Sequence, residues 1–379
     1  MNMSAKIRDW RFESLRLFSM LLIVTAHYFA SDNWDVHVNP DRTSMWTAAI
    51  HDSLIMLGQV GVTLFVLISA FFLTNTRKSP LPRVIRLWIQ VFVYSFGCYI
   101  IYIAGKACVG PLSAEQLPLA TPRNTVASIF PVTMGAYWFI SAFIATMLLG
   151  PFLNVLANSL HKQSLLILIV ILIWITFIWK IINPLTLQYF TDIGYFCTIY
   201  MIGAFIKNHH TAIPSISTRA MLLLCSLGFL LCVVGTHIVR SDVQLIRDFG
   251  YPNNLFTAGT GATPIIAVAM GTIIFVRVAQ TKPPIKESHI GTAILCISPA
   301  TLGVYLIHEN FIVKQYLWKY IFDNISMTSI GEKIFISIAV IMVLYALLLF
   351  ISFFINKMII KPVIHLLDKY INRLDVPFI

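Results

Sequence analysis

The stretch E-S-L-R-L-F-S-M-L-L-I-V-T-A-H, Glu13 to His27, decides how this chain is read. It opens an apolar run long enough to start a membrane-spanning helix, yet it carries an arginine at its mouth and a histidine well inside. Ten residues separate Arg16 from His27. On an α-helix, eleven steps of about 100° return to within about 20° of the starting direction, roughly 16 Å further along. Both side chains therefore lie on one face. A polar stripe running from a membrane surface toward the middle of the bilayer is expensive, so the expectation is that it faces a cavity and marks a function.

The rest of the composition agrees with a chain built for lipid. Of 379 residues, 58% are hydrophobic and 11% charged, against about 45–50% and about 25% in soluble domains. No polar stretch is long enough to form a separate soluble domain. The expected fold is all-α: a polytopic membrane bundle of about ten transmembrane helices over residues 1–360, followed by a short C-terminal element over 361–379. The net charge of +11 raises the question of nucleic acid. The positive residues fall instead beside apolar segments on alternate loops, which points to a lipid bilayer and to no nucleic-acid partner. Cys98, Cys108, Cys197, Cys225, Cys232 and Cys296 form no C-x-x-C pair and no zinc spacing, and are read as small buried residues; no metal is expected. The basic start, Lys6, Arg8 and Arg11, resembles that of a signal peptide, but His27 and the lack of a small-residue cleavage site favour a retained first helix.

Apolar segments of spanning length lie at 15–33, 53–73, 85–105, 137–156, 164–182, 192–206, 219–239, 255–279, 290–312 and 334–355. Most of the 27 lysines and arginines fall on one set of loops, including Arg77, Lys78, Arg83 and Arg86 and the group from Lys357 to Arg373. The positive-inside rule then puts both termini in the cytoplasm and the protein, multi-pass, in the cytoplasmic membrane. The loops 31–52 and 107–136, with Pro40, Pro111, Pro118, Pro122 and Pro131, are expected to cap a cavity from outside. Trp34, Trp46, Trp88, Trp179 and Trp318 read as interfacial anchors, and the run Gly259-Thr260-Gly261 as a locally unwound span, since no strand precedes it. Beyond Pro362, the residues Val363, Leu366, Leu367, Tyr370, Ile371 and Leu374 share one helical face, opposite His365, Asp368, Lys369 and Arg373. That pattern predicts an amphipathic helix on the cytoplasmic leaflet, with a cover over a cytoplasmic entrance as the alternative.

Four patches carry polar chemistry in an apolar setting. Besides Glu13 to His27 they are the segment Gly58 to Asn75 with the basic turn at Arg83 and Arg86, the run Tyr137-Trp138-Phe139-Ile140, and the run Leu302 to Phe311 with Tyr305, His308 and Glu309. Arg83 and Arg86 stand one helical turn apart and so share a face.

Taken in order, these patches resemble the acyltransferase 3 family of bacterial membrane acyltransferases that modify cell-surface polysaccharides. The family's first-helix pattern is matched by Glu13, Leu15, Arg16 and His27, and its second-helix pattern by Gly58, Gly61, Val62, Phe65, Ser69 and Phe71. The paired arginines are matched by Arg83 and Arg86, the W-F pair by Trp138 and Phe139, and the late Y-L-x-H by Tyr305, Leu306 and His308. Ala70 departs from the pattern, where the family commonly has glycine; a packing consequence is expected. No appended hydrolase-like domain is present in the sequence given, so an acceptor would dock on the membrane part.

The resemblance implies an acyl-coenzyme A donor, acetyl-CoA in the first instance, on the cytoplasmic side, and a hydroxyl of a cell-envelope saccharide or lipid-linked intermediate as acceptor. The residues fit that on their own terms. Arg16, Arg83 and Arg86 are candidates for the donor phosphates, which guanidinium groups bind through forked, charge-assisted hydrogen bonds. His27 is the candidate general base or covalent nucleophile, the two remaining open, with Glu13 beside Arg16 as a further catalytic candidate. Trp138, Tyr305 and His308 are candidates for substrate contact. The bland readings are a packing hydrogen bond for His27 and positive-inside anchoring for the arginines. A transporter or flippase is the alternative function, but such folds show duplicated halves and none is visible here. A receptor lacks an output domain.

Overall fold

The computed structural model describes residues 9–31, 34, 36, 44–108, 118–182, 192–241, 264–282, 288–325, 327 and 329–376. Every element named below is helical. The first, α1 (Trp10–Ala30), starts at Asp9, whose carboxylate accepts from the Arg11 N–H at 3.1 Å, a standard way to satisfy an orphan donor of the first turn. Along α1 the hydroxyls of Ser19 and Thr25 donate to the carbonyls of Leu15 and Leu21, four residues back. That keeps them satisfied in apolar surroundings.

The second apolar segment is divided at Met56 into α2 (Met45–Ile55) and α3 (Leu57–Leu73). Gly58 and Gly61 bring α3 hard against α1. A Cβ on Gly58 would lie 2.6 Å from that of Ala26, and one on Gly61 would run into the Ser19 carbonyl oxygen. Helices without a hydrophobic drive to associate in lipid pack through such small residues. The departure at Ala70 is absorbed the same way: its Cβ meets Gly203, on which any Cβ would stand only 2.7 Å away.

The remaining elements are α4 (Leu81–Ala107), α5 (Pro122–Ile129), α6 (Trp138–Ser159), α7 (Lys162–Ile173), α8 (Trp179–Ile182), α9 (Asp192–Asn208) and α10 (Thr218–Ser241). They continue with α11 (Ile265–Gln280), α12 (His289–Ile297), α13 (Thr301–His308), α14 (Val313–Asn324), α15 (Ile330–Ile355) and α16 (Lys361–Ile371). A helix occupies each of the ten segments read from the sequence, and six stretches among the described residues are long and apolar enough to cross a membrane: 45–73, 81–107, 138–159, 218–241, 289–308 and 330–374. Helix α1 is not among them, because Arg11, Glu13, Arg16 and His27 lower its apolarity. The polar stripe that singles out this helix is also what sets it apart from a simple apolar span.

Three expectations need correction. The ninth segment is not continuous to residue 312. A 3-10 turn at Ser298–Ala300, holding Pro299, splits it, and α13 stops at His308. The C-terminal element expected over 361–379 is helical over Lys361–Ile371, and α15 passes into it directly through a π-turn (Asn356–Ile360). Pro362 has no N–H to give the carbonyl four residues back, and a wide turn just before it accommodates the missing bond. The Asn356 side chain fixes this turn by donating to the Pro299 carbonyl at 3.1 Å. Finally, of the six cysteines only Cys232 is buried, while Cys108 and Cys296 are exposed. In a bundle meant for lipid an apolar run has no obligatory inside; Phe335 on α15 is 75% exposed. Conversely, Trp34 and Trp318 are buried rather than interfacial, Trp34 edge-on against Phe29 and Trp318 against His308. The Gly259–Gly261 run, residues 109–117 and residues 37–43 with Pro40 lie outside the described residues.

Candidate active site

The end of α1 meets the end of α13. Nδ1 of His27 lies 2.9 Å from Nε2 of His308 and 3.5 Å from Oε1 of Glu309. His308 is fully buried, and its own Nδ1 lies 2.6 Å from the Val304 carbonyl, one turn back on α13. A carbonyl can only accept, so Nδ1 of His308 carries the proton. In a neutral ring its Nε2 is then an acceptor, and the proton shared with His27 belongs to His27 Nδ1. It follows that Nε2 of His27 holds a lone pair. A neutral imidazole held in this tautomer is what a general base or a nucleophile requires. Glu309, with Lys314 3.8 Å from its other oxygen, stands beside Nδ1 and would stabilise the cation formed when Nε2 takes a proton.

Why Glu309 stands there is decided by the turn after α13. Asn310, fully buried, accepts at Oδ1 from the N–H groups of Ile312 (3.0 Å) and Val313 (3.4 Å), opening α14. Its amide donates to the Tyr137 hydroxyl at 2.9 Å, which donates in turn to the Leu306 carbonyl at 3.0 Å near the end of α13. One asparagine and one tyrosine thus satisfy the groups that two adjoining helix ends leave unpaired. Tyr305 closes one wall, its ring 6.5 Å from that of His27 and 5.4 Å from that of Phe139.

The structure therefore brings together His27, Tyr305 and His308 of the residues expected from sequence. It does not bring in Trp138, which is 37% exposed and packs edge-on against Phe139 and Phe196. Nor does it bring in Glu13. Fourteen residues of helix put it about 21 Å along the axis from His27, and its carboxylate pairs with Arg16 at 3.0 Å. The acid beside the histidine is Glu309, which the sequence marks only as an ionisable neighbour of His308 and does not pair with His27. Asn310 was missed, and Tyr137 was noted only as the head of the Y-W-F-I run; an asparagine three residues ahead of Val313 is a helix-start signal that points to the first of them.

At the other end of α1 lie the arginines. Arg16 is held by Glu13. Arg86, on α4, gives Nε and Nη2 to Oδ1 of Asp368 (3.1 and 2.9 Å) and Nη2 to Oδ1 of Asn372 (2.6 Å). Arg83 is half-buried; its N–H donates to the Pro80 carbonyl at 3.1 Å, and its guanidinium has no hydrogen-bond or ion-pair partner among the described residues. On α9 the Tyr200 hydroxyl donates to Asn154 at 2.8 Å. Asn154 lines a crevice of about 540 Å³ together with Thr74, Arg77, Asn158 and Ser159.

His27, His308 and Glu309 each offer one potential metal-ligand atom within 4.8 Å of the others. The His27–His308 separation, however, is a hydrogen-bond length; two nitrogens about 2.0–2.1 Å from one zinc ion in tetrahedral geometry stand further apart than this. The donor set as arranged fits a shared proton better than a shared cation.

A family model described as an acyltransferase domain matches residues 9–357. No curated protein and no solved structure matches the chain.

Proposed function

The chain belongs to the acyltransferase 3 family, and on that premise we propose that it moves an acyl group, acetyl in the first instance, from acyl-CoA to a hydroxyl of a cell-envelope saccharide. The observation that carries the reading is the free lone pair on His27 Nε2, fixed by the chain from His27 through His308 to the Val304 carbonyl. His27 acts as general base. It takes the proton from the acceptor hydroxyl while that oxygen bonds to the thioester carbonyl carbon. The tetrahedral intermediate collapses with loss of the C–S bond, and the coenzyme A thiolate leaves, taking the proton back from the imidazolium. Glu309 stabilises that imidazolium, and Tyr305 shapes the wall against which the acceptor rests.

The donor enters from the arginine-bearing end, which faces the cytoplasm together with both termini. Arg83 offers an uncommitted guanidinium to the phosphates, and the crevice beside Asn154 has the volume of a small-ligand site, about 300–1,000 Å³. From the level of Arg16 to that of His27 is about 16 Å, a distance for the extended pantetheine arm to thread. The acceptor reaches His27 from the opposite side of the cytoplasmic membrane.

The test is transfer by the purified protein in lipid discs from radiolabelled acetyl-CoA to surface glycan, alongside comparison of glycan from a deletion strain and its parent by mass and proton resonance. Labelled glycan, and its acyl group missing in the deletion strain, is the expected result. No transfer from several acyl-CoA donors, with loss of glycan export on deletion, would favour a transporter.

A further inference from the structure

The C-terminal segment is tied across the basic turn between α3 and α4. Asp368 and Asn372 take Arg86, Asp375 takes Lys78 at 2.6 Å, and the Val376 carbonyl accepts from the Ser79 N–H at 3.0 Å. A guanidinium, an ammonium and a backbone N–H within nine residues of one another are the donor types that bind phosphate. Here each is filled by a carboxylate, amide or carbonyl oxygen of the chain itself. Arg83, one turn from Arg86 on the same helix, is left without such a partner among the described residues.

We propose that residues 368–376 form a strap whose carboxylates occupy the cations of the donor entrance and compete there with the phosphates of the incoming donor. The proposal rests on the reading of this end as the donor entrance. Three features make the strap displaceable. The Arg86 and Asp368 side chains are 32% and 36% exposed, and the Lys78 side chain 65%; exposed pairs of this kind hold weakly. A ligand with several phosphate charges offers these donors more negative charge than the strap, which meets them with two separate carboxylates and neutral oxygens. The segment also stays attached when released, because α16 continues α15 through the π-turn at 356–360. With donor scarce the strap lies across the turn; with donor bound its acids are free in solution.

The experiment is the double variant Asp368→Asn, Asp375→Asn in lipid discs, with acyl-CoA as variable substrate, and amide exchange of residues 368–376 in the parent with and without coenzyme A. The expected result is a KM for acyl-CoA lower by about threefold to tenfold with kcat unchanged, and faster exchange of the strap when coenzyme A is added. An unchanged or raised KM in the variant would mean that Asp368 positions Arg86 rather than blocking it. A lowered KM with strap exchange indifferent to coenzyme A would reduce the effect to a change in local potential. Either overturns the strap while leaving the donor reading intact. A parent that neither turns over acyl-CoA nor binds coenzyme A overturns both.

Discussion

Nε2 of His308 accepts from Nδ1 of His27 across 2.9 Å, while the other nitrogen of His308 is held by the Val304 carbonyl at 2.6 Å. The pair fixes the tautomer of His27 from a residue 281 positions away in sequence. Removing the imidazole in His27→Ala is expected to lower kcat by about 10²–10⁴-fold, the range for a lost general base. His308→Phe, which keeps a ring but no acceptor, is expected to lower kcat by about tenfold or more, with His308→Gln partly restoring it. Equal activity of His308→Phe and the parent, measured as turnover at saturating donor, would remove the tautomer argument.

Glu309 stands 3.5 Å from His27 Nδ1. Glu309→Gln keeps the shape and removes the charge, so it is expected to reduce kcat by about 10–100-fold with KM for donor nearly unchanged, a loss confined to the charged step. A rise in KM at constant kcat would instead make Glu309 a binding group.

The shared proton between the histidines predicts indifference to metal chelators. Turnover after exhaustive treatment with a strong zinc chelator is expected to equal that before. Loss of activity restored by one divalent ion would assign His27, His308 and Glu309 to that ion.

Gly61 faces the Ser19 carbonyl and the Ile23 side chain of α1. Gly61→Ala must push α3 off α1, which is expected to cost about 1–3 kcal/mol and to displace the helix that carries His27. The readout is a lowered thermal midpoint in detergent together with lowered kcat; a stable protein with full activity would show that α1 and α3 give way freely.

Asp9 lies outside the spans. Burial works to raise its pKa, but hydrogen bonds from the Arg11 side chain and N–H, with the arginine's charge, outweigh it and hold the carboxyl below its ordinary 3.8. A depressed folded-state value means that the stabilisation is present at neutral pH and fades as pH falls through the folded-state value. Asp9→Ala is therefore expected to cost about 1 kcal/mol at pH 7, with the gap in thermal midpoint to the parent narrowing below about pH 4. A gap that persists unchanged in acid would rule out the charged cap.

How far the sequence reaches is seen residue by residue. Arg16 and His27 are on one helix, so period alone puts them on one face. Gly58 and Gly61 announce close packing, because only a missing Cβ allows it. Glu13 shows the reach of the same local reading: it pairs with Arg16, near it in sequence, but one helix cannot carry an acid about 21 Å to His27. Arg86 looked like a free phosphate ligand because nothing in its own helix shows that Asp368 lies across from it.

By itself the sequence determined that the chain is helical, built for lipid, and marked at His27, since composition, hydropathy and helical period are properties of neighbouring residues. Which acid lies beside that histidine, which of its nitrogens holds the hydrogen bond to His308 and which arginine is already occupied were decided only when α13 met α1 and α16 met α4. Those are contacts between residues hundreds of positions apart, and a hydrogen bond of that kind leaves no periodic trace in the chain.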